Sequence, residues 1–131
     1  MALGTTNAYV LYRTALLNWR GLIPSQREAV EANLAKAVEI NPQFASAHAA
    51  LAEIRAQLSR SQATIVPHMQ KAVALEPSDP WHRLAAARVL WLLRAPEEAR
   101  KAAESALKLA DDDERAQTEA ERLLAVYRKS Q

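Results

Sequence analysis

The chain has 131 residues, half of them hydrophobic and 24% charged, which is enough for one globular domain with a core and excludes a disordered chain. Seventeen lysines and arginines nearly balance fifteen acids, so the net charge of +2 supplies no basic stripe for nucleic acid. The absence of cysteine excludes disulfides, thiolate metal sites and a cysteine nucleophile.

A nine-residue phrase occurs three times along the chain. It runs from Leu34 to Pro42 (LAKAVEINP), from Met69 to Pro77 (MQKAVALEP) and, more loosely, from Ala103 to Asp111 (AESALKLAD). The central alanines, Ala37, Ala72 and Ala106, are spaced by 35 and then 34 residues. A fixed period of this length predicts a stacked array of helical units, and arrays of this kind usually bind other chains.

The first unit is predicted to contain two helices, Tyr9 to Trp19 and Ser25 to Asn41. Ser25 and Glu28 fit a capping box, in which the two side chains bond reciprocal backbone amides. Ala29, Val30, Leu34, Ala37 and Ile40 then form an apolar helical stripe. The helix ends at Asn41 because a proline follows it.

The second unit is predicted to begin with a helix from Ser46 to Leu58. Its partner helix runs to Glu76, before Pro77, and contains Pro67. A proline inside a helix costs about 3 kcal/mol, because it lacks an N–H and clashes with the preceding turn. Placing Thr64 at the N-cap puts Pro67 in the first turn, where amides are free in any case. We therefore expect a late start or a bend there.

The third unit opens with Asp79-Pro80, a cap followed by a proline at the first helical position. Its helices are predicted over Trp81 to Leu93 and from Pro96 to about Ala110, and the second has Glu97 and Glu98 at the positive end of its dipole.

A last helix is predicted from the acidic run at 111–114 to about Arg128. It carries one apolar face, formed by Ala116, Ala120, Leu123, Leu124 and Tyr127. With no partner of its own, this helix is expected to cover the open end of the array.

These residues resemble the tetratricopeptide repeat (TPR) family, whose 34-residue units pair two helices and often close with proline. Small residues stand where its helices cross, and Ala52, Ala87, Ala99 and Ala106 occupy such positions here. Leu51, the central alanines of the phrase, Pro42 and Pro77 also match the family. The segment from Ala8 to Phe44 further resembles bacterial members with a longer loop in the first unit.

The resemblance implies an all-α fold, a right-handed superhelical α-solenoid of about three helix-turn-helix repeats plus a C-terminal capping helix. Residues 1–131 would form one domain, with repeats at about 8–42, 45–77 and 80–111 and the capping helix at about 112–129.

In the family, the first helix of each unit lines a concave surface. By register, this surface takes Tyr9, Tyr12, Leu16 and Trp19 from unit one, Ser46, Ala49, Ala50, Glu53 and Gln57 from unit two, and Trp81, Leu84, Ala85, Arg88 and Trp91 from unit three. The peptide-binding residues are predicted to be Tyr9, Tyr12, Leu16, Trp19, Glu53, Trp81, Arg88 and Trp91.

Aromatic side chains suit a peptide groove because they bury much surface at little entropic cost. Arg88 could bind a carboxylate through two bonds, and Glu53 could bind a cation. The alternative is that the aromatics pack in the core and that Arg88 and Glu53 form a surface pair worth well under about 1 kcal/mol.

Family members that bind the C-terminal carboxylate of chaperone tails use a clamp of lysine, asparagine and arginine. The matching positions here are Tyr12, Leu16, Ala50, Trp81 and Ala85. Because none can take the clamp's role, we predict no binding to such acidic tails and a more apolar ligand.

The three histidines, His48, His68 and His82, fall in different helices, with no carboxylate or second histidine at ligand spacing in the sequence. His82 is predicted to lie at the surface and His48 to be packed. The acidic run at 111–114 lacks the glycine turn and distant acid of a calcium loop. The sequence therefore predicts no catalytic residues, no metal site and no cofactor: the chain is not expected to be an enzyme.

The preferred hypothesis is a non-enzymatic scaffold that binds a peptide or protein surface in its concave groove. One alternative is an oligomerisation module, in which Leu123, Leu124 and Tyr127 pair with a second copy. Another is an accessory or regulatory segment of a larger bacterial protein. We expect a protein or peptide partner, no nucleic acid and no membrane insertion. Without cysteine or a signal peptide, a cytoplasmic location is favoured over secretion.

Overall fold

A computed structural model describes residues 7–17 and 24–129, apart from the side chains of residues 24 and 25. Its α-helices are α1 (Ala8–Leu17), α2 (Pro24–Ile40), α3 (Ala45–Gln57), α4 (Val66–Leu75), α5 (Pro80–Leu92), α6 (Pro96–Leu109) and α7 (Glu114–Lys129). A short 3₁₀ turn, Gln62–Thr64, precedes α4. There is no strand in the described residues, and none of their helices is long and apolar enough to cross a membrane. The predicted all-α class is confirmed.

The helices pack as successive hairpins. α1 packs on α2, α3 on α4, and α5 on α6. Neighbouring hairpins meet through α2 with α3 and through α3 and α4 with α5, while α7 covers α5 and α6. Contacts that join mainly adjacent units are the mark of a helical-repeat solenoid, which is the architecture predicted.

The predicted alanines lie where helices cross. Ala37, Ala72 and Ala106 are all buried. Ala72 of α4 packs against Ala49 of α3 and Ala85 of α5, so three small side chains let three helix backbones approach closely. The repeated phrase is therefore the sequence pattern of the hairpin junctions, as expected.

Helix starts follow local chemistry. Pro67 lies in the first turn of α4, so the predicted late start is confirmed, but the N-cap is Ile65 and not Thr64. Thr64 ends the 3₁₀ turn, where its Oγ1 donates to the Ser61 carbonyl at 2.8 Å.

The predicted capping box is wrong in position, because α2 begins at Pro24 and Ser25 lies inside its first turn. Asp79 caps α5 as predicted, accepting from the Trp81 amide at 2.8 Å.

The turns inside the second and third hairpins are alike. Ser59 and Arg94 both have positive φ, 58° and 63°. Each directly follows the C-cap residue of its helix, Leu58 after α3 and Leu93 after α5. In each turn the next amide reaches back into the last helical turn, Arg60 N to Arg55 O and Ala95 N to Leu90 O, both at 2.9 Å. This is the Schellman pattern, which satisfies carbonyls that the helix leaves free.

Candidate functional site

The first helices of the three hairpins together form one concave cavity of about 230 Å³. We call it the groove. It is lined by Tyr12 and Leu16 of α1, Ser46, Ala49, Ala50 and Glu53 of α3, and Trp81, His82, Ala85 and Arg88 of α5. Five of the eight predicted peptide-binding residues thus meet in one place: Tyr12, Leu16, Glu53, Trp81 and Arg88.

One end of the groove is aromatic. The ring of Tyr12 lies 5.0 Å from that of Phe44, tilted by 55°, and Phe44 in turn stacks on Tyr9 at 6.4 Å. Burial raises the pKa of the Tyr12 hydroxyl, although a hydrogen bond with Ser46 acts in the opposite direction. The tyrosine is therefore held against α3 with its hydroxyl in the neutral form.

The other aromatic residue of the groove, Trp81, is exposed but fixed in orientation. It is 40% exposed, and its Nε1 donates to Asp113 Oδ2 at 2.8 Å. Asp113 also accepts from the Ala116 amide at 3.0 Å. The Ala116 amide, followed by the Trp81 indole, lowers the pKa of Asp113, so the carboxylate is charged and holds the indole firmly.

The centre of the groove carries an ion-pair network. Arg88 donates to Glu53 at 2.9 and 3.0 Å and to Glu119 at 3.1 Å. Burial opposes the charge on Arg88, but the hydrogen bonds and charge of Glu53, together with the charge of Glu119, outweigh it and raise the pKa of the guanidinium. Arg88 is thus already bound by two acids, which accept from three of its five N–H donors.

His82 is buried at the base of the groove, 4% exposed, so the prediction of a surface residue is wrong. Its Nε2 lies 2.5 Å from Glu76 Oε1 and 3.5 Å from Asp79 Oδ2. The tight turn between α4 and α5 brings His82 together with residues three and six positions earlier, a contact that helical spacing alone does not predict.

The other two histidines are also paired, contrary to the sequence argument. His48 is buried as predicted, and its Nδ1 lies 2.9 Å from Nδ1 of His68. Its Nε2 donates to the Pro42 carbonyl at 2.8 Å, since a carbonyl only accepts. When both rings are neutral, His48 Nδ1 must therefore accept from His68 Nδ1–H. Burial, then His48 and Arg55, lower the pKa of His68 to about 4.

Tyr9 and Leu84, both assigned to the concave surface by register, lie elsewhere. Tyr9 is 58% exposed and lines a separate concavity with Asn41 and Phe44. Leu84 is fully buried in the core between α5, α6 and α7. It lies one step around α5 from the stripe formed by Trp81, Ala85 and Arg88, so it faces the neighbouring helices. Trp19 lies outside the described residues.

Trp91 belongs to a second cavity beside the groove. Its ring stacks on Tyr127 of α7 at 4.5 Å, with 20° between the planes. Both rings line this second cavity with Leu92 and Val126, and Glu53 and Arg88 form the wall that it shares with the groove. Trp91 therefore serves first to pack α7 onto α5.

Three solved structures share this arrangement of helices. The first TPR of Spaghetti (RPAP3), bound to the HSP90 peptide SRMEEVD, is 19% identical, with 94% of each chain covered and a TM-score of 0.70. The first TPR domain of human RPAP3 is 21% identical, with 98% of this chain and 100% of that one covered and a TM-score of 0.71. A chain of a T3SS complex from Aeromonas hydrophila is 17% identical, with 98% and 85% covered and a TM-score of 0.74.

At these identities the likeness establishes the fold: the chain is a TPR-like helical-repeat domain, as the sequence resemblance predicted. No family model and no curated protein sequence matches the chain.

Proposed function

We propose that the chain is a non-enzymatic protein-interaction module that binds a peptide segment of a partner in the groove. The observation that carries this proposal is the position of Trp81, which is exposed toward the groove and fixed by Asp113. A large aromatic that is already ordered before binding loses little side-chain entropy when a partner packs on it. A solenoid with a concave face made by successive first helices supplies the surface around it.

The shape of the groove favours a peptide over a small molecule. Its volume of about 230 Å³ is below the roughly 300–1,000 Å³ of clefts that enclose small ligands. The floor consists of small side chains, Ala49, Ala50 and Ala85. A floor of alanines between Tyr12 and Trp81 leaves room for one or two apolar side chains of a partner, with the rest of its chain lying across the hairpins.

The charges of the groove favour an apolar partner with basic flanks. Arg88 is bound by Glu53 and Glu119, and Arg122 also binds Glu119, so these two acids and two arginines balance in charge. Asp113 lies behind Trp81, and the pKa values of both Asp113 and Glu119 are lowered by their hydrogen bonds, so these acids are charged. Among these residues Asp113 is the acid that neither arginine balances, so a partner lysine or arginine would be attracted to this end of the groove and a carboxylate would be repelled.

The RPAP3 structure that binds the acidic peptide SRMEEVD offers a direct comparison. In this chain Tyr12, Leu16, Ala50, Trp81 and Ala85 occupy the positions that the resemblance assigns to a carboxylate clamp. We therefore propose that the groove does not bind that peptide, and that it recognises the apolar and cationic side chains of its partner.

The experiment is a fluorescence-polarisation screen of a peptide array that varies apolar and basic residues, with SRMEEVD as the acidic reference. We expect the binders to be apolar with basic flanks and SRMEEVD to be weaker by at least about tenfold, which is about 1.4 kcal/mol. Tyr12→Ala and Trp81→Ala should each weaken the best binder by at least about tenfold, as for an interface hot spot. Tyr9→Ala is the matched control, because this exposed tyrosine lies outside the groove. Equal losses for all three variants would refute groove binding.

Self-association remains a second proposal, but its predicted interface is wrong. Leu123, Leu124 and Tyr127 are buried against α5 and α6, so they are not available to a second copy. The exposed apolar residues near them are Leu92 and Val126. Light scattering at increasing concentration tests this alternative, and a constant monomer mass would remove it.

A further inference from the structure

A histidine and two carboxylates converge where α4 meets α5. Donor atoms of Glu76, Asp79 and His82 all lie within 4.8 Å of one another. The imidazole Nε2 is the central atom, with Glu76 Oε1 at 2.5 Å and Asp79 Oδ2 at 3.5 Å.

The backbone holds these three side chains in place. Glu76 is the C-cap of α4, and its carbonyl accepts from the Asp79 amide at 3.1 Å, which closes the turn. Asp79 caps α5 with Oδ1, bound to the Trp81 amide at 2.8 Å, and this bond leaves Oδ2 on the side of His82. His82 lies in the first turn of α5, where burial restricts its ring. Two of the three donors are therefore oriented before any ligand arrives.

We propose that Glu76, Asp79 and His82 bind a divalent transition-metal ion of the Zn²⁺ type. One imidazole nitrogen with two carboxylate oxygens is a donor set that suits such ions, whereas Ca²⁺ and Mg²⁺ prefer oxygen alone. Three protein ligands leave one tetrahedral position for water or for an atom of a partner.

The distances need little adjustment. Zn–N and Zn–O bonds of about 2.1 Å place tetrahedral ligand atoms roughly 3.4 Å apart. The distance from His82 to Asp79 already has this value, and the oxygen of Glu76 must withdraw from His82 by roughly 1 Å. Its side chain is 54% exposed and free to do so. The neighbouring Arg83 donates Nη2 to the Pro77 carbonyl at 3.1 Å, so that contact directs its guanidinium to the backbone of the turn.

The position of the site gives the ion a defined effect. Glu76 follows α4 and His82 belongs to α5, so a bound ion would link the second hairpin to the third. Because His82 also lines the groove beside Trp81, the same ion would stiffen one wall of the groove. The proposal does not depend on peptide binding, since metal binding is measured on the free protein.

The test is isothermal titration calorimetry of chelator-treated protein with Zn²⁺, and absorption spectroscopy with Co²⁺. We expect one ion per chain, visible Co²⁺ bands in the range of tetrahedral or five-coordinate sites, and a higher Tm with Zn²⁺. Glu76→Gln, Asp79→Asn and His82→Gln should each weaken Zn²⁺ binding by at least about tenfold. Asp79→Asn retains a capping oxygen, and Glu76 is exposed, so these two variants should fold even if His82→Gln does not.

His68→Gln is the matched control, because it removes a histidine outside the cluster. It should leave both the stoichiometry and the affinity unchanged. Absence of saturable Zn²⁺ binding, binding that survives Glu76→Gln and Asp79→Asn together, or binding lost in His68→Gln would each overturn the proposal.

Discussion

The guanidinium of Arg88 binds the carboxylate of Glu53 through two hydrogen bonds, at 2.9 and 3.0 Å, and joins α5 to α3. A third bond at 3.1 Å reaches Glu119 of α7. One side chain thus connects the second hairpin, the third hairpin and the last helix. The pairing is bidentate and largely shielded from water, so it differs from the solvated surface pair that was the alternative in the sequence argument.

Arg88→Ala should lower the free energy of unfolding by about 1–3 kcal/mol. The loss comes from the charged hydrogen bonds and from leaving Glu53 without its cation, whereas Glu119 keeps its pairing with Arg122. Urea unfolding followed by circular dichroism measures it. Arg128→Ala is the control, because its contact with Glu104 is long, 3.6 Å, and exposed, and the change should stay within about 0.5 kcal/mol. Equal effects of the two substitutions would contradict the assigned role of Arg88.

Ala72→Leu should destabilise the domain by about 1–3 kcal/mol, because the three alanines at this crossing leave no space for a larger side chain. Thermal unfolding gives the measurement. Ala74→Leu on the same helix faces solvent and provides the control, with little expected change. A wild-type Tm for Ala72→Leu would mean that α3, α4 and α5 do not meet at this residue.

Trp91→Ala should cost about 3 kcal/mol, the lower end of the range for truncating a large aromatic residue. The indole stacks on Tyr127, so its removal loosens α7. Hydrogen exchange should increase mainly in α7, and the affinity of a groove peptide should change less than with Trp81→Ala. The opposite result, a loss of peptide binding with unchanged stability, would show that Trp91 contacts the peptide.

Stability should fall as the pH is lowered from about 6.5 to about 4. The folded state holds the pKa of His68 at about 4, against 6.5 in the unfolded chain, so the unfolded state binds more protons in this window. The contribution is present above about pH 6.5 and is lost progressively toward pH 4. Its slope is below about 1.4 kcal/mol per pH unit, because His68 is only half-buried.

The pH effect is isolated by comparing urea unfolding of wild type and His68→Gln across the same range. The difference between the two curves should depend on pH between about 6.5 and 4 and be flat above that window. His48, its partner the Pro42 carbonyl, and Arg55 are the groups around His68, and they are present in both proteins. Parallel curves would show that the pair does not titrate differently on folding.

Much of the fold follows from local chemistry along the chain. The 35- and 34-residue spacing of Ala37, Ala72 and Ala106, the cap at Asp79 and the position of Pro67 all depend on neighbours in sequence, and each led to the correct element. Small residues at one helical position, proline at a helix start and an acid before it act within one or two turns. For this reason they can be recognised without knowing how the helices pack.

The side-chain partnerships required the packed structure. Helical periodicity places Arg88, Trp91 and Leu84 on α5, but α3, α6 and α7 determine which of them faces the groove, the last helix or the core. The contact of His48 with His68 and that of His82 with Glu76 depend on turns whose geometry cannot be derived from the amino-acid sequence alone. Residues that are distant in sequence, or that lie on opposite sides of a turn, come within a few ångströms of each other only when the hairpins stack. Each such contact depends on the angle at which whole helices cross.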